Sequence, residues 1–346
     1  YVSGRFTDAF RPDDELRVQI GRHTMDIGSR RFVARNLYRN TINAFTGANA
    51  QWYGPGGTFV RAFYTHPVVR LPADGQFDLL STNKVELDEP RGSRRFWGLF
   101  TELPADGLGA NLELFYYGLL ESDARDLITR DRDLDTFGAR WKRRALRGTF
   151  DWEIEAAYQT GRSRRLLSDA ERLDHEAAFV HLGAGYTFDA PSLPRIEALF
   201  DYASGDGDPN DGENSRFESR FGGPRGDFGP TGLFRPVTRS NIVSPGVRFT
   251  FLPTPRWEVM ALQRLNFLYS DRDIWTTTAV VDETGSSGDH IGNLTEIRVR
   301  DHPQGAHAMR LETGVGWHDA GSFSERAPNG DGLDALYVYF QTLFWF

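Results

Sequence analysis

Cysteine is absent from the 346 residues of the sequence, which excludes a disulfide-stapled scaffold and a thiolate metal centre. Also absent is any apolar run near the roughly 20 residues that a membrane-spanning helix needs. The longest such runs, Leu114–Leu120 and the closing segment up to Phe346, are β-like in composition. The chain opens at Tyr1 with no signal-peptide pattern, so a secretory signal is expected to have been removed or to lie outside this sequence. Catalytic constellations are equally scarce. The adjacent acid–histidine pairs, Asp289-His290 and His318-Asp319, come without a serine at a useful spacing. Neighbours on a strand point to opposite faces, so neither pair can act as a direct dyad. His302 and His307 flank a turn without a third ligand for a metal. No glycine-rich phosphate loop sits between a strand and a helix, and a net charge of -8 argues against a nucleic-acid partner. No enzyme, cofactor or metal is expected.

What is present points elsewhere. Hydrophobic residues reach only 39 %, yet aromatics make up 13 % and glycine numbers 36. That mixture suits a sheet with one face toward lipid and the other toward water. Segments of about ten residues alternate in polarity. Ile196, Ala198, Phe200 and Tyr202 oppose Arg195, Glu197 and Asp201; Trp152, Ile154, Ala156 and Tyr158 oppose Glu153, Glu155 and Gln159. Met309, Leu311, Thr313, Val315 and Trp317 likewise oppose Arg310, Glu312, Gly314 and Gly316. Short connections carry turn residues, at 11–14, 55–57, 104–107, 147–148, 190–194, 253–255 and 302–305. Long, charged, glycine-rich ones lie around 24–42, 67–93, 162–174, 205–239, 270–289 and 319–332. Alternating short and long connections match periplasmic turns and extracellular loops.

The pattern predicts an all-β protein: an antiparallel transmembrane β-barrel in the outer membrane of a Gram-negative bacterium, one domain over residues 1–346. Segmentation gives about fifteen strands. The first runs into the turn at Pro12, and the last, Leu336–Phe346, runs toward the same side. Single-chain bacterial barrels have even strand numbers, so an odd number of upstream strands, most simply one or three, is expected. Leu336, Val338, Phe340, Phe344 and Phe346 share the lipid face of the last strand. A terminal aromatic such as Phe346 is the usual signal to the barrel assembly machinery. Trp52, Trp97, Trp141, Trp152, Trp257 and Trp317, with Tyr158, Tyr186 and Tyr202, are expected to form girdles at the two interfaces.

Three stretches carry a family resemblance. The first is Ile20-Gly21-Arg22 with Gly28-Ser29-Arg30-Arg31-Phe32 and Arg39-Asn40-Thr41-Ile42-Asn43-Ala44-Phe45. The second is Asp201-Tyr202-Ala203-Ser204-Gly205-Asp206-Gly207-Asp208, running on to Phe217 and Phe221-Gly222-Gly223. The third is the closing Leu343-Phe344-Trp345-Phe346. Together they resemble the alginate export family of outer-membrane porins. The resemblance implies an 18-stranded monomeric barrel, so that three strands would lie upstream. It also implies passive, charge-selective passage of solutes such as anionic saccharides. A general diffusion porin without uronate specificity is the alternative, and a barrel enzyme of lipase or protease type a more distant one.

Positions opposite the lipid face are candidates for the pore lining. Arg17, Arg61, Arg140 and Lys142 supply positive charge from early strands, and Arg248, Arg264, Arg298, Arg300 and Arg310 form an arginine wall with Glu296 and Glu312 interspersed. Glu153, Glu155, Glu197 and Asp201 form an acidic wall. Arginine holds carboxylates bidentately, and rings of side-chain charge set the sign of a permeating ion. Anionic solutes such as uronates are therefore expected, with the acidic wall holding some arginines in place. Arg22, Arg30 and Arg31 are expected at the entrance or on an infolded loop. Phe59, Phe63, Phe115, Tyr117 and Tyr337 offer a competing reading as an inward stacking surface for sugars. The acidic stretch Asp206–Glu213 is expected to be a solvated loop beside lipopolysaccharide rather than a calcium site.

Overall fold

The computed structural model describes residues 1–36, 42–71, 87–105, 109–125, 127–208, 210–223, 225–231, 234–303 and 309–344. Period-two polarity becomes a sheet of seventeen strands. They are β1 (Val2–Thr7), β2 (Glu15–His23), β3 (Phe45–Tyr53), β4 (Phe59–Val69), β5 (Glu89–Pro90) and β6 (Arg94–Ala105). β7 (Ala110–Glu121), β8 (Asp133–Arg143), β9 (Thr149–Ser163), β10 (Leu173–Thr187), β11 (Arg195–Ala203) and β12 (Glu213–Asn214) follow. The last are β13 (Ile242–Thr254), β14 (Trp257–Phe267), β15 (His290–Asp301), β16 (Met309–Ala320) and β17 (Ala335–Phe344). β5 and β12 have two residues each, too short for alternation to reveal. The other fifteen are the strands that polarity predicts.

Successive long strands pair antiparallel from β1 to β17. β12 lies parallel beside β10. The sheet is not closed: among the described residues no ladder joins β17 to β1. The short connections gather at one end of the sheet and the long ones at the other. The connection between β7 and β8 belongs with the long ones; its sequence is charged but holds no glycine or proline to mark it as a loop.

Register fixes two faces. Arg140 stands opposite Glu155, Arg248 opposite Glu197 and Arg300 opposite Glu312, all on the concave side. Phe137, Ile154, Val247, Ile297 and Phe340 point outward and are exposed. Shielding one such side chain from water contributes about 1.5–3 kcal/mol, which a bilayer supplies. Aromatic pairs mark both rims of this face: Trp141 with Trp152 at 5.1 Å and Phe150 with Tyr186 at 4.7 Å toward the short turns, and Tyr202 with Tyr269 at 5.1 Å toward the loops. Trp345 and Phe346, with Arg39, Asn40 and Thr41, lie outside the described residues.

Two long loops turn inward and meet. Val33 bridges Phe221 in parallel, with Ala34 N–H donating to Phe221 O at 3.1 Å and Phe221 N–H to Phe32 O at 3.1 Å. Phe32 then packs on Phe115 of β7, Phe179 of β10 and Phe217 of the second loop, at 5.2, 5.5 and 5.9 Å. Phe221 packs on Phe45 and Phe96 at 5.2 and 4.8 Å. One side of the interior is thus a hydrophobic core built from strand and loop residues. Backbone approach is closest at Gly222, where a Cβ would lie 1.7 Å from Arg31 O. Gly222→Ala should push the loops apart at a cost of about 1–3 kcal/mol, raising the single-channel conductance; an unaltered conductance would show that this crossing does not hold the loops.

Candidate functional site

The strands' alternation places Arg17, Arg61, Arg140, Lys142, Arg248, Arg264, Arg298, Arg300 and Arg310 on the concave face, together with Glu153, Glu155, Glu197, Asp201, Glu296 and Glu312. They do not share one environment. Arg264 is fully buried: it pairs with Asp201 at 2.8 Å and lies under Phe228, 4.9 Å from the ring. Facing inward therefore does not put Arg264 in contact with an open passage. Asp201 also meets His181 Nδ1 at 2.9 Å. Arg61 is held by Asn49 at 2.8 Å and by Asp26 O at 3.0 Å. Arg17 stays partly exposed over the Tyr53 ring at 4.7 Å, beside Glu15.

The three motif arginines part company. Arg22 is exposed on the convex side and reaches Asp88 O at 3.2 Å. Arg30 borders a cavity in the interior. Arg31 is buried against the acidic wall, paired with Glu153, with Glu155 at 2.5 Å and with Asp227 at 3.0 Å. Ser29 adds a hydrogen bond to Glu155 at 2.9 Å. Burial works against the charge on Arg31, but the three carboxylates outweigh it and hold its pKa well above the ordinary value. Breaking a buried pair of this kind by removing one partner costs about 3–5 kcal/mol.

The cavity that Arg30 borders measures about 570 Å³. Arg195, Arg225, Arg248, Arg298, Arg300 and Arg310 also line it, against the carboxylates of Asp26 and Glu258. It sits toward the short-turn end, roofed by Gly223, Arg225 and Gly226 of the infolded loop. Its arginines are ordered by ion pairs: Arg248 with Glu197 at 2.9 Å, Arg300 with Glu258 at 3.0 Å and Glu312 at 2.8 Å, Arg298 with Glu258 at 3.5 Å. Arg310 and Arg298 lie 3.9 Å from Glu312 and Glu296 respectively. Across Arg195, a second cavity of about 530 Å³ is lined by Arg140, Lys142, Arg143, Arg144, Asp151 and Glu153, among others. Fixed guanidinium forks around such a cavity can hold carboxylates.

The inward aromatics do not form an open stacking surface. Phe63, Phe115 and Tyr117 are buried in the core that the infolded loops complete, with Phe59 packed against it. Tyr337 stacks on Phe234 at 5.4 Å. The acidic stretch departs from expectation at its first residue. Asp208 and Asp211 accept backbone hydrogen bonds from Asn210 and Glu213, but Asp206 is buried and neither of its carboxylate oxygens has a hydrogen-bond donor among the described residues. Pro209 lies outside the described residues, and among those described no three acidic or histidine side chains are grouped to hold a metal.

Glu113 and Glu258 lie on the concave face of β7 and β14 and were legible by the same parity that sets Arg195 of β11 opposite the lipid face. Other interior groups escape a reading by alternation. Asp227, Arg225 and Arg239 lie in a loop, where no period assigns a face. Their only sequence signal is charge within a glycine-rich segment.

A transmembrane sheet with an ion-paired interior and its own loops folded inward defines an outer-membrane channel of the porin type. Solved structures agree on the fold. Pseudomonas aeruginosa OccK2 (OpdF), in complex with glucuronate, shares 13 % identity over 97 % of this chain and 79 % of that one, with a TM-score of 0.56. OprD from the same organism shares 14 % over 96 % and 76 %, with a TM-score of 0.54. No curated protein sequence matches. The profile described as alginate export matches residues 1–335, and the chain belongs to that family. Family and neighbours place it in the Gram-negative outer membrane and point to a channel rather than an enzyme.

Asp206 links two of the loops, its N–H donating to Asp273 Oδ2 at 2.9 Å while Arg216 grips Asp273 from the other side. Burial, then the Asp273 carboxylate, push the Asp206 pKa up to about 6. A carboxyl raised in this way supports the packed loops fully below its ordinary pKa and loses that support as pH rises through about 6. Backbone protection at 204–208 and 270–274, corrected for intrinsic exchange rates, should be greater at pH 5 than at pH 7.5. Asp206→Asn should remove the difference, and equal protection in the wild type would refute the assignment.

Proposed function

We propose that this channel is anion-selective and passes acidic saccharides of the uronate class. The observation that carries the reading is the cavity toward the short turns, where seven arginines face two carboxylates. Short turns lie on the periplasmic side of such barrels, so the arginines line the periplasmic half of the passage. A uronate presents a carboxylate to the guanidinium fork and hydroxyls to Asp26 and Glu258. The glucuronate complex of OccK2 supports a small sugar acid as ligand on a related fold. On the same reading the barrel works as a monomer, its long loops meet lipopolysaccharide, and the assembly machinery engages the aromatic last strand.

Removing three cavity charges in Arg248→Gln, Arg298→Gln, Arg310→Gln should lower the anion-to-cation permeability ratio roughly threefold or more. Reversal potentials under a potassium chloride gradient give that ratio. The triple variant should also lose current block by oligouronate. A wild-type channel that prefers cations, or a variant with an unchanged reversal potential, would leave a general diffusion porin instead.

A further inference from the structure

The roof of the arginine cavity is fastened by one carboxylate. Asp227 follows directly on the roof residues and is almost fully buried. Arg31 takes it side-on, Nε to Oδ2 at 3.0 Å and Nη2 to Oδ1 at 3.4 Å. Arg239 donates to Oδ2 from a second direction, and Arg248 Nη2 approaches Oδ1 at 3.9 Å from the cavity side. Gly226, at φ +95°, turns the chain here, and its carbonyl accepts a hydrogen bond from the same Arg248 Nη2. Phe228 closes the site from behind, 5.3 Å from the Arg239 guanidinium.

We propose that Arg31, Arg239 and Arg248 form a carboxylate-binding site on the transport path, which Asp227 occupies as a tethered stand-in for the transported anion. Three features carry this. The site is built for a carboxylate, with planar donors converging on both oxygens. Its occupant is carried by a loop rather than by a strand, so it can leave without breaking a strand ladder. It opens toward the cavity through Arg248, which lines that space and meets the next carboxylate outward, Glu197. Arg239 is buried, and among the described residues its one carboxylate partner is Asp227. A lone buried guanidinium is costly, so Asp227 departs most readily by exchange with another carboxylate. While Asp227 is in place the roof is shut; when a solute carboxylate takes its position, the loop is released.

The proposal rests on the anionic-solute reading, and its test separates the two. Asp227→Ala vacates the site while leaving its arginines. In planar bilayers in potassium chloride, the variant should conduct severalfold better than wild type. Sodium acetate at matched ionic strength should occupy the vacated site and lower that conductance again, with little effect on the wild type, and should raise the variant's melting temperature more than chloride does. A heat-modifiable band on gels confirms that the barrel has folded. Wild-type conductance in Asp227→Ala would overturn the proposal, as would an opened channel that acetate affects no more than chloride. Reversal potentials from the same bilayers report on the selectivity reading alone: a cation-preferring wild type with acetate-sensitive Asp227→Ala would sink that reading and retain the masked site.

Discussion

A guanidinium taken out of water must find carboxylates or lose its place, and much of this interior is arranged around that requirement for Arg31. It travels inward on a loop, not on a strand, and meets Glu153 and Glu155 on β9 and Asp227 on a second loop. One residue therefore ties together two segments far apart in sequence and the wall between them. Phe32, its neighbour, does the same with apolar contacts to Phe115, Phe179 and Phe217. Charge fixes where the loop goes, and the adjacent aromatic ring gives it area to bury.

The result is an interior of two unlike halves. Between β3 and β10 the concave wall is apolar at mid-height, and the loops cover it with phenylalanines of their own. Between β11 and β17 the wall carries arginine and glutamate, and toward the short turns it borders the cavity of about 570 Å³. An ordinary porin strand needs one apolar face only; here β4, β6 and β7 bear aromatic side chains on both. Tyr64 and Trp97 point outward while Phe63 and Phe96 on the same strands point inward. That doubling accounts for an aromatic content that girdles alone do not require.

Alternation with period two made the strands and their inward faces legible, because it is imposed locally and repeats in every segment. Glu153, Glu155, Glu197 and Asp201 could be assigned a face for that reason, and so could Arg264. Whether such a residue meets water is another matter. Arg264 is sealed by Phe228, which comes from a loop nearly forty residues earlier, and nothing in the β14 pattern records that contact. Asp227 and Arg239 were invisible as a pair for the same reason: loop residues obey no period, and their partner is non-local. The family stretches had a different kind of legibility. Gly28–Phe32 and Phe217–Gly223 stand out in the sequence, and in space they are the two strips that touch, crossing where Gly222 admits the backbone of Arg31.

The apolar core shared by the loops also bears on how current through the channel should look. Segments that bury rings against one another, as Phe32, Phe217 and Phe221 do, cannot loosen one residue at a time without leaving voids. Such units open as a body, with lifetimes far longer than side-chain fluctuations. A recorded trace would then move between a few discrete levels with measurable dwell times, instead of showing the smooth, featureless noise of a pore lined by independent flexible chains.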